Sequence, residues 1–117
     1  MTDWVTDYFH DVDAMRIDAL LARHSDDAVM GFNDIPLAHG KQQISEMLNG
    51  LWSNLEGLSH KVVNRYQDGD TVILESDVTY RRKDGKVLVL KAASFIHQTG
   101  GLVDRLVFYN DPSPLFA

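Results

Sequence analysis

The chain of 117 residues contains no cysteine, which excludes disulfides, thiol catalysis and zinc sites built on thiolates. Basic residues are also few, since 11 Lys and Arg stand against 17 Asp and Glu and the formal net charge is −6. We therefore expect no binding to nucleic acid or to anionic membranes. No apolar run approaches the ~20 residues of a membrane span, and the N-terminus lacks the basic start of a secretory signal. These absences predict a soluble, cytoplasmic protein.

The remaining composition is typical of one globular domain over residues 1–117. Hydrophobic residues make up 44% of the chain and charged residues 24%. A chain of this length removes roughly two-thirds of its unfolded surface from water, which is enough for one core but not for two.

Hydrophobic residues in the first half recur at steps of three and four, the period of an amphipathic helix. They predict a helix from residue 3 to about 15, a short helix over 16–25 and a third helix over 41–57. A short strand is predicted over 28–32.

From residue 59 onward the hydrophobic period changes to two, and glycine-containing turns recur. The pattern predicts four strands, over 59–67, 71–82, 86–98 and 102–110. Helices followed by strands predict an α+β domain in which the helices cover one face of a curved antiparallel sheet.

Two of these strands carry apolar residues on both faces. In the last strand Leu106 and Phe108 alternate with Val107 and Tyr109, whereas a sheet with one solvated face alternates more cleanly. The second apolar face then packs either on another copy of the chain, in a two-fold homodimer, or under the helices and tail of the same chain.

Glu75 and Asp77 are two residues apart on a predicted strand, so both point to one face with Cα atoms about 7 Å apart. On the helix-covered face, burial and mutual repulsion would keep one carboxyl protonated and able to exchange a proton near neutrality. On a solvated face, the pair is ordinary surface charge, compensated by Arg81 or Lys91.

Tyr8 and Asn33 are further candidates for a site. Tyr8 lies on the inner face of the first helix, where a phenol either donates a hydrogen bond into a cavity or forms part of the core. Asn33 follows a strand and serves either the site or a local turn. The five histidines lack the spacing of a helical metal site, and no cofactor motif is present, so we expect neither metal nor cofactor.

Three stretches carry a family resemblance that extends over nearly the whole chain: DALLARHSDDAVMGFNDIPLAHGKQQI, DGDTVILESDVTYRRKDGK and GGLVDRLVFYNDPSPLF. The sequence resembles the nuclear transport factor two superfamily, specifically its SnoaL-like and limonene-epoxide-hydrolase-like branch. The resemblance implies a cone-shaped, strongly curved antiparallel sheet of the cystatin-like kind, with three N-terminal helices covering an apolar cavity, and frequent pairing as homodimers. The residues expected to line the cavity are Leu48, Leu51, Trp52, Leu106 and Phe108. These five residues and Glu75 are expected to bind a ligand.

The resemblance also implies roles for single residues. In the epoxide hydrolases, the water-binding asparagine matches Asn33 and one catalytic carboxylate matches Asp77. However, Glu75 replaces their arginine, Gly31 their water-binding tyrosine and Phe108 their second aspartate. In the ketosteroid isomerases, the phenol that stabilises the enolate oxygen matches Tyr8. No known mechanism is complete in this sequence, so standard epoxide hydrolysis is not expected.

Two functions from different classes remain open. The first is cofactor-free acid–base catalysis, of isomerase, cyclase or hydrolase type, on a small hydrophobic molecule. Asp77, perturbed by Glu75, would move the proton, Asn33 would position water or a substrate oxygen, and Tyr8 would donate to developing negative charge. The second is a non-catalytic module that binds an apolar small molecule or acts as a dimeric partner-binding domain; the apolar Phe108 favours it.

Overall fold

The computed structural model describes residues 3–116, which form an α+β domain as predicted. The helices are α1 (Trp4–Asp13), α2 (Ile17–Leu21) and α3 (Gly40–Trp52). The strands are β1 (His24–Phe32), β2 (Ala38–His39), β3 (Leu55–Asp68), β4 (Thr71–Arg82), β5 (Val87–Thr99) and β6 (Leu102–Asn110), and a short 3-10 helix, Ser113–Phe116, follows them.

The strands form one curved sheet in the order β2-β1-β6-β5-β4-β3. Strands β3 to β6 are an antiparallel meander, as the hairpin turns predict. Strand β1 differs, because it pairs with β6 in parallel, so the sheet is not antiparallel throughout. The connection from β1 to β6 passes through β2, α3 and strands β3 to β5, and it is long enough to bring the two strands together in the same direction.

Helices α1 and α3 cover the inner face of the sheet. In α1 the buried apolar residues Val5, Tyr8, Phe9 and Val12 follow one another at steps of three, one and three, which places them on one side of the helix. In α3 the buried residues follow one another at steps of four, which also places them on one side: Ile44, Leu48 and Trp52. Among the described residues, no helix is both long enough and apolar enough to cross a membrane.

Strand β4 shows most clearly which face of the sheet is inside. Val72, Leu74 and Val78 are each at most 1% exposed and belong to the core, whereas Glu75 is exposed. Since side chains alternate along a strand, the even-numbered residues of β4 point toward the helices and the odd-numbered residues point outward.

The predicted boundaries are wrong at two places. His24, which the period places in the second helix, opens strand β1, because Arg23 and His24 pair with β6 through the hydrogen bond from Val103 N to Arg23 O. Helix α3 ends at Trp52 instead of residue 57, because Leu55 and Gly57 already pair with β4. Long-range pairing overrides the local helical pattern in both cases.

We predict that Leu74→Ala lowers the free energy of unfolding by about 2–5 kcal/mol, because the side chain is fully buried and its removal leaves a cavity. Ile35→Ala, in the loop after β1 where the side chain is 48% exposed, should change it by less than about 0.5 kcal/mol. Urea denaturation of both variants tests this, and equal losses would contradict the burial of Leu74 in the core.

Candidate functional site: an apolar cavity under the helices

A cavity of about 480 Å³ lies between the inner face of the sheet and helices α1 and α3. This volume is within the usual range for small-molecule sites, roughly 300–1,000 Å³. Most of its wall is apolar, and the larger apolar side chains that form it are Phe9, Met30, Phe32, Leu48, Leu51, Trp52, Leu55, Leu58, Val78, Leu106 and Phe108.

One end of the cavity is polar and reaches the exposed turn between β4 and β5. Arg82, Lys83 and Asp84 line it there, together with Pro112 and Leu115 from the C-terminal segment. Arg82 donates a hydrogen bond to the backbone oxygen of Leu115 at 3.2 Å and forms an ion pair with Asp84 at 2.5 Å. These contacts attach the C-terminal segment to the rim of the cavity.

An aspartate–histidine pair forms part of the cavity wall. His60 of β3 lines the cavity, and Asp13 at the end of α1 holds it with both carboxylate oxygens. Oδ1 lies 2.6 Å from the Nδ1 atom of the imidazole, and Oδ2 accepts a hydrogen bond from the His60 backbone N–H at 3.0 Å. The ring of Phe9 packs against the imidazole, with ring centroids 4.7 Å apart.

The hydrogen bond to Asp13 determines the chemistry of the other ring nitrogen. An ionised carboxylate can only accept, so Nδ1 of His60 carries a proton and donates it to Asp13. In the neutral imidazole Nε2 is then an unprotonated acceptor, and within residues 3–116 no hydrogen bond to it is found. In this form the pair can act as a base at the cavity wall.

Tyr8 of α1 also lines the cavity, and its hydroxyl lies 3.0 Å from Nε2 of His24. Nδ1 of His24 lies 2.8 Å from the backbone oxygen of Leu20, which can only accept a hydrogen bond. Nδ1 is therefore protonated, and the Tyr8 hydroxyl donates its proton to Nε2. Burial raises the pKa of the Tyr8 phenol, opposed in part by Arg23, and burial lowers the pKa of the His24 imidazole.

Tyr80 of β4 supplies a second phenol to the wall. Its oxygen accepts a hydrogen bond from the side-chain amide nitrogen of Asn110, 3.1 Å away. Burial raises the pKa of the Tyr80 phenol, and the hydrogen bond from Asn110 opposes this shift. The phenol is therefore neutral at physiological pH.

The family model for the SnoaL-like domain matches residues 5–106 of the chain. The chain belongs to the SnoaL-like domain family. No curated protein matches it.

Solved structures share the fold of this SnoaL-like domain at low sequence identity. A hypothetical protein with a ketosteroid-isomerase-like fold from Catenulispora acidiphila, in complex with trimethylamine, is 19% identical with a TM-score of 0.80; the match covers 90% of this chain and 82% of that one. An epoxide hydrolase of the LEH-like type from M. tuberculosis is 16% identical with a TM-score of 0.78, over 96% and 83%. TerC, co-crystallised with polyporic acid, is 14% identical with a TM-score of 0.83, over 96% and 92%.

The structure of this SnoaL-like domain places most of the site residues predicted from the sequence on the cavity wall. Tyr8 and the five predicted lining residues, Leu48, Leu51, Trp52, Leu106 and Phe108, all lie on the cavity wall. That any of them binds a ligand stays a prediction.

The prediction that Glu75 and Asp77 point into the cavity is wrong. Both lie on the outer face of β4, where Glu75 is exposed and accepts a hydrogen bond from Tyr66 at 3.2 Å. The carboxylate of Asp77 lies 3.4 Å from the Nζ atom of the exposed Lys91. The physical reason is the alternation along β4, whose more apolar even-numbered set occupies the core and turns the carboxylates outward.

Asn33 does not line the cavity either. It follows β1 with a φ of +52°, in the left-handed region that asparagine tolerates. Its backbone N–H donates to the oxygen of Phe108, and its side-chain oxygen accepts from the backbone N–H of Asn110, both at 3.0 Å. Asn33 therefore connects the ends of β1 and β6.

Sequence reasoning missed Asp13, His60 and Tyr80. The inward register of His60 follows from its pairing with Val78, a core residue, once the β3–β4 register is known. Its partner Asp13 is 47 residues away, so no spacing rule could connect the two. Within residues 3–116 no cluster of three potential metal ligands is found.

We predict that His24 makes this SnoaL-like domain less stable in acid. Its pKa is lowered in the folded state, so below about pH 6.5 the unfolded chain binds a proton that the folded protein does not. The contribution of His24 to the free energy of unfolding is therefore fully present above that pH. It is lost as the pH falls, by at most about 1.4 kcal/mol per pH unit. Urea denaturation at about pH 7.5 and about pH 5.5 should show a smaller loss for His24→Gln than for the wild type. An equal loss in both proteins would contradict this assignment.

Proposed function

We propose that this SnoaL-like domain binds a small apolar molecule in the cavity and catalyses a cofactor-free proton transfer on it. The observation that carries the proposal is the Asp13–His60 pair, because it places an imidazole whose Nδ1 atom is held by a carboxylate on the wall of a mostly apolar cavity. The substrate class is a terpenoid, steroid or polyketide type of molecule, which matches the apolar wall.

In the proposed reaction, Nε2 of His60 accepts a proton from the bound molecule, and the electron pair of the broken bond stays on that molecule. The imidazolium that forms is stabilised by the Asp13 carboxylate, 2.6 Å from Nδ1. His60 then returns the proton to the same molecule at another atom, as an isomerase or cyclase does, so that atoms and charge balance over the cycle. General base catalysis of this kind contributes typically about 10²- to 10⁴-fold in rate.

The other polar residues predicted from the sequence do not support a second mechanism. Asp77 is on the outer face beside Lys91, and the side-chain oxygen of Asn33 is engaged by the backbone of Asn110. The co-crystallised polyporic acid of TerC supports a small organic molecule as the ligand, since that protein shares this fold.

Hydrogen–deuterium exchange on a bound ligand tests the proposal without knowledge of the product. A panel of terpenoids, steroids and polyketides is first screened by thermal shift, because a ligand present at 100 times its dissociation constant adds about 2.7 kcal/mol of stability. Each ligand found is then incubated with the protein in D₂O, and its mass is measured by mass spectrometry. We expect deuterium to enter a ligand at a carbon-bound position faster than in buffer alone.

The variant His60→Asn separates catalysis from binding. Its amide nitrogen lies near the position of Nδ1 and can still donate to Asp13, whereas the base Nε2 is lost. We expect binding to be retained and exchange to fall by about 10²-fold or more. His10→Asn, the same substitution on the exposed side of α1, is the control and should exchange at the wild-type rate.

Two outcomes would contradict the proposed catalysis. One is exchange at the wild-type rate in His60→Asn. The other is tight binding of a ligand that exchanges no proton in the wild type, which would favour a non-catalytic binding module.

We infer in addition that two copies of the chain pair through the outer face of the sheet. Phe95 and Tyr109 are 38% and 48% exposed on this face, in edge-to-face contact, and Val89 is 61% exposed. An apolar patch of this kind on a sheet face is typical of an interface. The Asp77–Lys91 ion pair beside the patch gives it charges of both signs, so that the face can complement itself across a two-fold axis.

Phe95→Glu should convert the homodimer into a folded monomer, because it places a charge in the centre of this face. Sedimentation velocity measures the oligomeric state and circular dichroism the fold. Leu102→Glu, at the similarly exposed first residue of β6, is the matched control and should stay dimeric. A monomeric wild type at micromolar concentration would overturn the inference.

A further inference from the structure

The two phenols of the cavity differ in which hydrogen-bonding group they leave free. Tyr8 donates its proton to Nε2 of His24, whose own N–H is engaged by the Leu20 carbonyl. Its oxygen therefore offers the cavity only lone pairs. Tyr8, the phenol that the resemblance to ketosteroid isomerases favours, lacks a free proton to donate to a ligand.

Tyr80 leaves the opposite hydrogen-bonding group free, namely its proton. Its oxygen already accepts a hydrogen bond from the amide nitrogen of Asn110, 3.1 Å away. The Tyr80 O–H proton is not needed for that contact, and within residues 3–116 no acceptor for it is found. Since this side chain lines the cavity and burial raises its pKa, the phenol is a neutral group whose proton is available to a ligand in the cavity.

The position of Asn110 is fixed by the backbone around it. The backbone N–H of Asn110 donates to the side-chain oxygen of Asn33 at 3.0 Å. On the neighbouring strand β5, Asn110 pairs with Ala92, which lines the cavity. Its own side-chain oxygen is buried and without a partner. The network from Asn33 through Asn110 thus orients the Tyr80 phenol.

The β3–β4 register brings Tyr80 and His60 to the same part of the wall. His60 pairs with Val78 and Leu58 pairs with Tyr80, so His60 and Tyr80 are diagonal neighbours on the inner face. Diagonal neighbours of antiparallel strands have Cα atoms about 7–8 Å apart, which one ligand of a few carbon atoms can span.

We propose that Tyr80 is the residue that binds an acceptor oxygen of the ligand, with Asn110 as its positioning residue. The substrate class is then a small apolar molecule that carries a carbonyl oxygen. With this oxygen on Tyr80, the adjoining carbon atoms lie on the side of His60. An anionic oxygen would instead be drawn to Arg82 and Lys83 at the polar end of the cavity. The assignment rests on the proposed function in one respect, since it requires a ligand in the cavity.

Indan-1-one and indane are suitable probes, because they share a bicyclic skeleton and differ in one carbonyl group. Their dissociation constants are measured by NMR titration for the wild type and for Tyr80→Phe. The preference for indan-1-one is the dissociation constant of indane divided by that of indan-1-one. We expect this ratio to fall by about five- to tenfold in Tyr80→Phe, because one hydrogen bond to the carbonyl oxygen is lost. Asn110→Asp should lower the preference in the same direction, because a carboxylate at this position accepts the Tyr80 proton.

Tyr109→Phe makes the same chemical change on the outer face of the sheet and is the matched control, so it should keep the wild-type preference for the ketone. Tyr8→Phe tests the competing assignment, because Tyr8 is the other phenol of the cavity wall. Its proton is bound to His24, so its removal should not reduce the preference for the ketone.

The outcomes separate this proposal from the function on which it rests. An unchanged preference in Tyr80→Phe, or its loss in Tyr8→Phe, would overturn the role of Tyr80 and leave the Asp13–His60 pair untouched. Failure of the wild type to bind either probe would overturn both the cavity as a binding site and this assignment. A ketone preference that depends on Tyr80, without deuterium exchange at any ligand, would support this assignment and contradict only the proposed catalysis.

Discussion

The burial of one face of β4 is the constraint on which the site depends. Val72, Leu74 and Val78 are almost completely removed from water, and full burial of such side chains stabilises a fold by about 1.5–3 kcal/mol each. A register shifted by one residue would expose them and place Glu75 and Asp77 in the core. Unpaired carboxylates in that position cost several kcal/mol.

The register of β4 in turn orients the neighbouring strands. Because His60 of β3 pairs with Val78 and Ala92 of β5 pairs with Ser76, each points to the same side as its partner. The inner face therefore receives one imidazole from β3 and the phenol of Tyr80 from β4. Helix α1 completes the site when its buried side packs on the sheet and its last residue, Asp13, reaches His60.

Much of the fold could be predicted from the sequence, because its signals are local. The bounds of β4 and β6 follow from alternation between glycine-containing turns, and α1 follows from its apolar spacing. The errors lie where distant residues decide. His24 belongs to a helical pattern but pairs with β6, and only that pairing places it in a strand.

The site could be predicted only in its apolar part. The predicted lining residues are large and hydrophobic, and a residue of that type on an inward face almost inevitably contacts the cavity. The orientation of Glu75 and Asp77 was ambiguous because both faces of β4 carry apolar residues, although the even-numbered face carries more of them. The Asp13–His60 pair was out of reach, since it joins a helix end to a strand through tertiary packing.

The polar groups of this cavity lie at other positions than the resemblance implies. Gly31, which stands where the epoxide hydrolases place a tyrosine, faces outward: a Cβ there would meet Leu37 at 2.7 Å and Val107 at 3.4 Å. Phe108 stacks on Phe32 with ring centroids 4.6 Å apart and makes the β6 side of the cavity apolar. The imidazole and the free phenolic proton come instead from β3 and β4. Because a curved sheet offers inward positions on every strand, hydrogen-bonding groups can be lost from one strand and supplied by another while the cavity is kept.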